Sequence, residues 1–156
     1  MDLRRGTVVD AGPIAGLIAS FQSELTVDPS GAGAEQYLAS VSEQAEREYL
    51  ESPRYFFIVA ECGGTFAGFI AIRDNTHLFH LFVARAFHRN GLARRLWREA
   101  REEAVRRGNS GGFTVNSSLN AIPVYEAFGF VPSGPVATVH GISFMPMRLS
   151  QLEHEA

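Results

Sequence analysis

A mixed α/β domain follows from three features of this 156-residue chain. Two β-rich runs, Tyr55 to Ala60 and Thr65 to Ile72, flank the tight turn E-C-G-G and form a hairpin. Apolar residues recur at helical spacing before and after that hairpin. The run from His77 to Val83 then leads through a basic, glycine-containing turn into the best helical stretch of the chain. With 46% apolar residues and no internal repeat or dividing linker, residues 1–156 are expected to form one domain.

Taken in order, Leu3 to Val9 suits a short first strand, and Asp10 caps a helix carrying Ile14, Leu17, Ile18 and Phe21 on one face. Thr26 to Ala34 is a loop by composition. Glu35 to Leu50 reads as a second helix with the stripe Tyr37, Leu38, Val41, Ala45 and Tyr49, stopped by Ser52-Pro53. After the hairpin, Arg73-Asp74-Asn75 is a turn and His77 to Val83 a third strand of the meander. Gly91 to Arg107 is strongly amphipathic, with Leu92, Leu96, Trp97, Ala100 and Ala104 opposite an arginine-rich face; Gly108 ends it. Phe113 to Asn116 is a strand, Asn120 to Phe128 a short helix, and Val136 to His140 and Ile142 to Leu149 are the closing strands. Pro146 predicts that the last of these is an edge or bulged strand.

Composition narrows the function. All 14 basic residues are arginine, which excludes a Schiff-base lysine and a P-loop lysine. The net charge of -3 implies no general affinity for nucleic acid. A single cysteine, Cys62, excludes an intrachain disulfide and a four-cysteine zinc site. The absence of an apolar leader or of a membrane-spanning run predicts a soluble, cytoplasmic protein without membrane contacts. There is no H-E-x-x-H, C-x-x-C or G-x-S-x-G motif; Asp28, Asp74 and His154 lack metal-ligand spacing, so no metal site is expected.

The segment H-R-N-G-L-A-R, His88 to Arg94, lies where a strand meets a helix N-terminus. The first N–H groups of a helix lack intrahelical partners and carry the positive end of its dipole. A diphosphate can take these donors, and Gly91 removes a side chain from its approach. Arg85, Arg89 and Arg94 add charge for a further phosphate.

Preceded by L-F-V and followed by R-R-L, this segment resembles the acyl-CoA signature of the GNAT superfamily of N-acetyltransferases, Gln/Arg-x-x-Gly-x-Gly/Ala. Gly91 and Ala93 match; His88 stands at the Gln/Arg position. The later block S-S-L-N-A-I-P-V-Y-E-A-F-G-F matches a second family motif at Ala121, Tyr125, Glu126, Gly129 and Phe130, with Ser118 where asparagine is commoner and Val124 in place of leucine. The resemblance spans nearly the whole chain. It implies a GNAT-like fold, a central, mostly antiparallel mixed sheet of about seven strands flanked by about four helices.

It also implies a chemistry. Acetyl-CoA is the expected co-substrate, its pantetheine pairing with Leu81, Phe82 and Val83, and its phosphates held by His88, Arg89, Asn90, Gly91, Leu92, Ala93 and Arg94. Asn116 and Ser118 either bond the pantetheine amides or cap the short helix. The strand Phe113 to Asn116 is expected to splay away and open a cleft near Tyr125. Acetyl then passes directly to a bound amine. Tyr125 is the expected acid for the thiolate, with strand N–H groups around Phe82 facing the oxyanion. The acceptor's ammonium requires a base. His77 is the first choice, His80 the second; Glu61, Glu24 and solvent are the others. Three residues apart on a regular strand, the two histidines point to opposite faces, His77 with Phe79, Leu81 and Val83; a bulge changes this. The segment Glu24 to Glu35 and the surroundings of His140 are expected to line the acceptor side, the former as a mobile lid or a plain surface loop.

The acceptor is a small-molecule or peptide amine that nothing in the chain selects. Two other readings stand: a non-catalytic acyl-CoA-binding sensor, which needs no acid, and an interaction domain that pairs through its last strand, with a homodimer compatible with either.

Overall fold

The computed structural model of the chain describes residues 1–150. His154 lies outside the described residues. An eight-stranded sheet runs in the order β1-β2-β3-β4-β5-β8-β6, with β7 also paired to β8. Its strands are β1 (Asp2–Arg5), β2 (Tyr55–Cys62), β3 (Thr65–Arg73), β4 (His77–Val83), β5 (Phe113–Ser118), β6 (Val131–Pro132), β7 (Ala137–Val139) and β8 (Ile142–Leu149). All pairings are antiparallel except that of β4 with β5. The helices are α1 (Ala11–Ala19), α2 (Gln22–Leu25), α3 (Glu35–Ser40), α4 (Glu43–Glu51), α5 (Leu92–Arg106) and α6 (Ile122–Ala127).

Strand alternation divides the core into two layers. Phe56, Ile58, Ile70, Ile72 and Leu78 face α5, meeting Leu96, Trp97, Ala100 and Ala104. Phe57, Val59, Phe69 and Ala71 face α1 and the α3–α4 region, meeting Ile14, Ile18 and Val41. The hydrophobic stripe of α5 is thus the half of the core read most directly from its sequence spacing.

Four local expectations are corrected. The first strand stops at Arg5: the Gly6 N–H still donates to Phe57 O, and the chain then turns into a 3-10 helix, Val8–Asp10, whose start is held by the Thr7 N–H on the Asp10 carboxylate. Asp10 is the residue before α1 but caps nothing there; its carboxylate accepts from the Thr7 N–H and from both ends of the Arg4 guanidinium at 2.9 and 2.8 Å. Arg4 also pairs with Glu61, so β1, β2 and α1 are tied together and Glu61 is occupied away from the expected base role. The helix expected over Glu35 to Leu50 is two helices, since Ser42 accepts the Ala45 N–H at 3.2 Å and starts α4 afresh.

The fourth concerns Pro146. β8 is not an edge strand: β5 covers one side and β6 and β7 the other. The Pro146 carbonyl accepts from the Ser133 N–H, and in an antiparallel ladder the N–H and C=O of one residue point the same way. Its missing donor therefore faces Ser133, just past the end of β6, where only the reciprocal bond of that pair is absent and the ladder with β5 is untouched. Pairing of a partner through β8, the basis of the interaction-domain reading, is blocked by the protein's own strands. No helix among the described residues is long and apolar enough to cross a membrane.

Candidate active site

β4 and β5 pair over only two positions, His77 with Thr114 and Leu78 with Val115, and then part. Beyond Leu78 the β5-facing edge of β4 is open. Which groups it presents follows from two bonds. The Ala84 N–H donates to Ala67 O on β3, whereas the Val83 carbonyl accepts from His88 Nε2 at 2.7 Å. By alternation, Val83 and Leu81 turn their backbone groups to the open side and Phe82 turns its own to β3. The oxyanion donor expected around Phe82 is therefore better sought at Leu81.

His88 lines the cavity over the turn, with its imidazole bonded through Nε2 to the Val83 carbonyl at the end of β4 and stacked at 6.0 Å on Phe21. Arg85 is likewise committed, to Glu24 at 2.7 Å, to the Ser20 carbonyl and to the face of Phe21 at 4.3 Å. Glu24, one of the possible bases, is thereby an ion-pair partner. Arg89 and Arg94 line the cavity over the turn, together with Gly91, Leu92 and Ala93. Arg89 and Gly91 both adopt left-handed backbone, φ 67° and 73°. Gly91 is the residue before α5 and has no atom within 4 Å of the position a Cβ would take. Space and uncapped N–H groups thus coincide at the start of α5, as a bound diphosphate requires. Asn90 belongs to the same turn but does not line the cavity, whereas Asn120 and Pro123, which the sequence did not single out, do.

This cavity, about 620 Å³, meets a second of about 310 Å³; Leu25, Leu81, Phe82, Ser118, Ala121 and Tyr125 line both. Tyr125 on α6 is buried against Phe128 and Phe130, and burial pushes its phenol well above the ordinary tyrosine value. Ser118 and Asn116 border the second cavity, and Ser118 makes no side-chain cap. The second cavity is closed from above by Tyr37, Ser40 and Val41 and from the side by Ile142, Ser143 and Phe144. The loop after α2 reaches it through a bridge between Thr26 and Ile142 and a bond from the Val27 N–H to Gly141 O. The expected lid is therefore pinned to the start of β8.

A bulge decides where the histidines go. Opposite Ala71 and Ile72 the partners skip from His80 to Leu78, leaving Phe79 unpaired in β4. Phe79 and His80 consequently share the α1–α4 face, ring centroids 4.1 Å apart, while Leu78 and Leu81 both enter the α5 layer. His77, across from Arg73 and bonded through Nδ1 to Thr114 Oγ1 at 2.8 Å, lies on the same side as His80. It does not share a face with Leu81 and Val83.

His80 is buried and its Nε2 lies 2.9 Å from Oε2 of Glu46, which is fully buried on α4. Oε1 of Glu46 has no partner among the described residues. Burial and this carboxylate push the nearby Tyr37 phenol up to about 12. Glu46 was missed because a glutamate on an amphipathic helix reads as solvated. It stands three and four positions before Tyr49 and Leu50, however, so its place on the buried stripe was available from spacing.

Burial and the Arg73 charge lower the His77 imidazole to about 4. Since the unfolded chain takes up this proton near 6.5, stability falls as pH drops from about 6.5 to about 4 and is flat below. In a His77→Asn variant, denaturant unfolding is expected to show a smaller loss between pH 7 and pH 4 than in the parent; equal losses would remove His77 from the account. Among the described residues no three His, Cys, Asp or Glu side chains gather as metal ligands.

Residues 25–151 match the family model described as acetyltransferase (GNAT) domain. The chain belongs to the GNAT acetyltransferase family. A GCN5-related N-acetyltransferase structure from Rhodopseudomonas palustris superposes with a TM-score of 0.79 at 21% identity, covering 96% of this chain and 94% of that one. The PaiA N-acetyltransferase of Thermoplasma acidophilum, solved with coenzyme A, gives 0.70 at 17% identity over 96% and 98%. A spermidine N-acetyltransferase variant from Vibrio cholerae gives 0.69 at 16% identity over 99% and 97%. No curated protein sequence matches the chain significantly. The GNAT fold expected from the two sequence blocks is the one observed, with eight strands and six α-helices among the described residues where about seven and about four were expected.

Proposed function

We propose that this GNAT protein transfers acetyl from acetyl-CoA directly to an amine, with Tyr125 as acid and His80 as base. The junction of the two cavities at Leu81, Phe82 and Tyr125 carries the reading. A carrier entering along the open edge of β4, its phosphates on the Gly91 turn, brings its thioester to that junction; an acceptor fills the other cavity. The N–H of Leu81 is placed for the oxyanion.

His80 replaces His77 as the proposed base on three grounds. It lies farther along β4 toward the junction, it has a carboxylate partner, and His77 is committed to Thr114 with a depressed basicity. A neutral His80 that donates Nε2–H to Glu46 leaves Nδ1 as its basic nitrogen. His80 takes the ammonium proton. The amine nitrogen then bonds to the acetyl carbon, the C–S bond breaks, and the thiolate accepts the Tyr125 proton. The nitrogen's surplus proton passes through solvent to the Tyr125 phenolate, so that a neutral amide and CoA thiol leave and His80 returns its proton to solvent.

Acetyl-CoA and CoA titrated calorimetrically into the protein test the carrier site, and CoA-thiol release with an amine panel tests turnover. One-to-one binding at micromolar concentration is expected. Gly91→Val should weaken it about a hundredfold, because a β-branched residue resists the left-handed turn and fills the open space. Absence of binding to the parent protein would sink the transferase reading.

A further inference from the structure

Resting on that reading, we infer that the acceptor is an amine that also carries a carboxylate, with Arg73 as the group that holds it. Among the described residues the wall of the acceptor cavity contains no aspartate or glutamate. Its one arginine is Arg73, beside His77. Two carboxylates stand behind lining residues without reaching the wall: Glu46, buried behind His80, and Asp74, beside Arg73.

Arg73 is placed on the face that carries the proposed base. It pairs with His77 across the β3–β4 ladder, and directly opposed residues project to the same side. Its guanidinium lies 5.6 Å from the centre of the Phe79 ring, and that ring lies 4.1 Å from His80. Phe79, displaced onto this face by the bulge, is therefore a shared floor for the cation and the base. The guanidinium is also weakly engaged. Its one carboxylate contact is with Asp74 at 3.8 Å, while Arg54 forks that same carboxylate at 2.9 and 2.8 Å. An arginine offers five N–H donors in a plane that matches a carboxylate, so Arg73 retains donors for a ligand.

The charge pattern selects against polycations. Spermidine, the acceptor named for one structural neighbour, would bring additional ammonium groups into a cavity with a fixed cation and no lining carboxylate. An amino-acid-like acceptor places one ammonium at His80 and one carboxylate at Arg73, and its apolar body against Tyr37, Val41 and Phe144. This is an assignment of substrate class.

Matched acceptor pairs test it: phenylalanine against phenylalaninamide, and β-alanine, 4-aminobutyrate and 6-aminohexanoate against their amides, with spermidine as the polycation. Binding is measured calorimetrically on the protein saturated with CoA, alongside kcat/KM for acetylation. At one spacing or more the acid should exceed its amide by at least about tenfold, as a charge-assisted bond to a guanidinium warrants. Arg73→Gln should bring that ratio to about one, and Arg73→Lys should retain part of it; thermal melts confirm folding. Preference for the amides or for spermidine overturns the inference, as does an acid preference that survives Arg73→Gln. Loss of acetyl-CoA binding in the parent protein is a separate result, which overturns the proposed function. Because acceptor binding is read on the CoA complex, an absence of turnover still leaves the acid-to-amide ratio decisive.

Discussion

Replacing Tyr125 with phenylalanine should lower kcat about a hundredfold, within the range that a positioned general acid contributes. The lost atom is the phenol oxygen of a residue that lines both cavities; the ring stays packed on Phe128 and Phe130. Affinity for acetyl-CoA, measured by calorimetry, should move little, since the phosphate turn on α5 is untouched. The pH profile adds a second check. Burial holds the phenol protonated well past its ordinary value, so the parent enzyme should show no alkaline fall of kcat near pH 10 from this group. A variant that turns over like the parent would return the non-catalytic acyl-CoA sensor to first place. A variant that loses acetyl-CoA binding in parallel would make Tyr125 part of the binding wall only.

Glu46→Ala should cost both stability and rate. The substitution leaves His80 buried with its Nε2 unpartnered and opens a void inside α4, for which about 3 kcal/mol is a reasonable loss. At this chain length that lowers Tm by about 10 °C. A structural role alone would account for this much. Glu46→Gln separates the two effects, because it keeps the shape and a carbonyl acceptor for His80 while removing the negative charge. If Glu46 positions His80 as a base and stabilises its protonated form, the Gln variant should fold with a near-parental Tm. It should also lose kcat about tenfold at neutral pH, recovering toward higher pH as the free amine becomes available. Parental kcat with lowered stability would confine the pair to the core, and the base would have to be sought in solvent.

The difference between His77 and His80 shows where a sequence argument stops. Both residues were visible on the strand that leads to the signature, and the argument from a regular strand put them on opposite faces. One extra residue at Phe79 reversed that conclusion, and the bulge arises from the pairing of β4 with β3, which is a property of two strands and not of either alone. The partner of His80 was harder still. Glu46 is 34 positions away on a helix that a capping serine divides from the one before it. A buried glutamate is rare enough that composition argues against it.

Other features needed no tertiary context. The left-handed Gly91, the amphipathic stripe of α5 and the hairpin at E-C-G-G are local, and each residue type is required by a backbone angle or a helical period. The family resemblance rested on two local blocks, the segment around Gly91 and the one around Tyr125, and both the fold and the family matched it. Arg85 illustrates the limit from the opposite direction: it stands beside the turn in sequence, yet Glu24 and the Ser20 carbonyl draw its side chain elsewhere.

The sequence by itself thus determined most of the elements, the left-handed glycine turn before α5 and the tyrosine-bearing short helix after it, because these depend on neighbours within a few residues. The tertiary structure alone decided which backbone groups of β4 face the open cleft, which histidine has a carboxylate behind it, and that the cavity beside His80 carries Arg73 with no carboxylate of the described residues on its wall. Those depend on strand register, on one bulge and on contacts between segments far apart in the chain, where a shift of a single residue turns a side chain from one face of the sheet to the other.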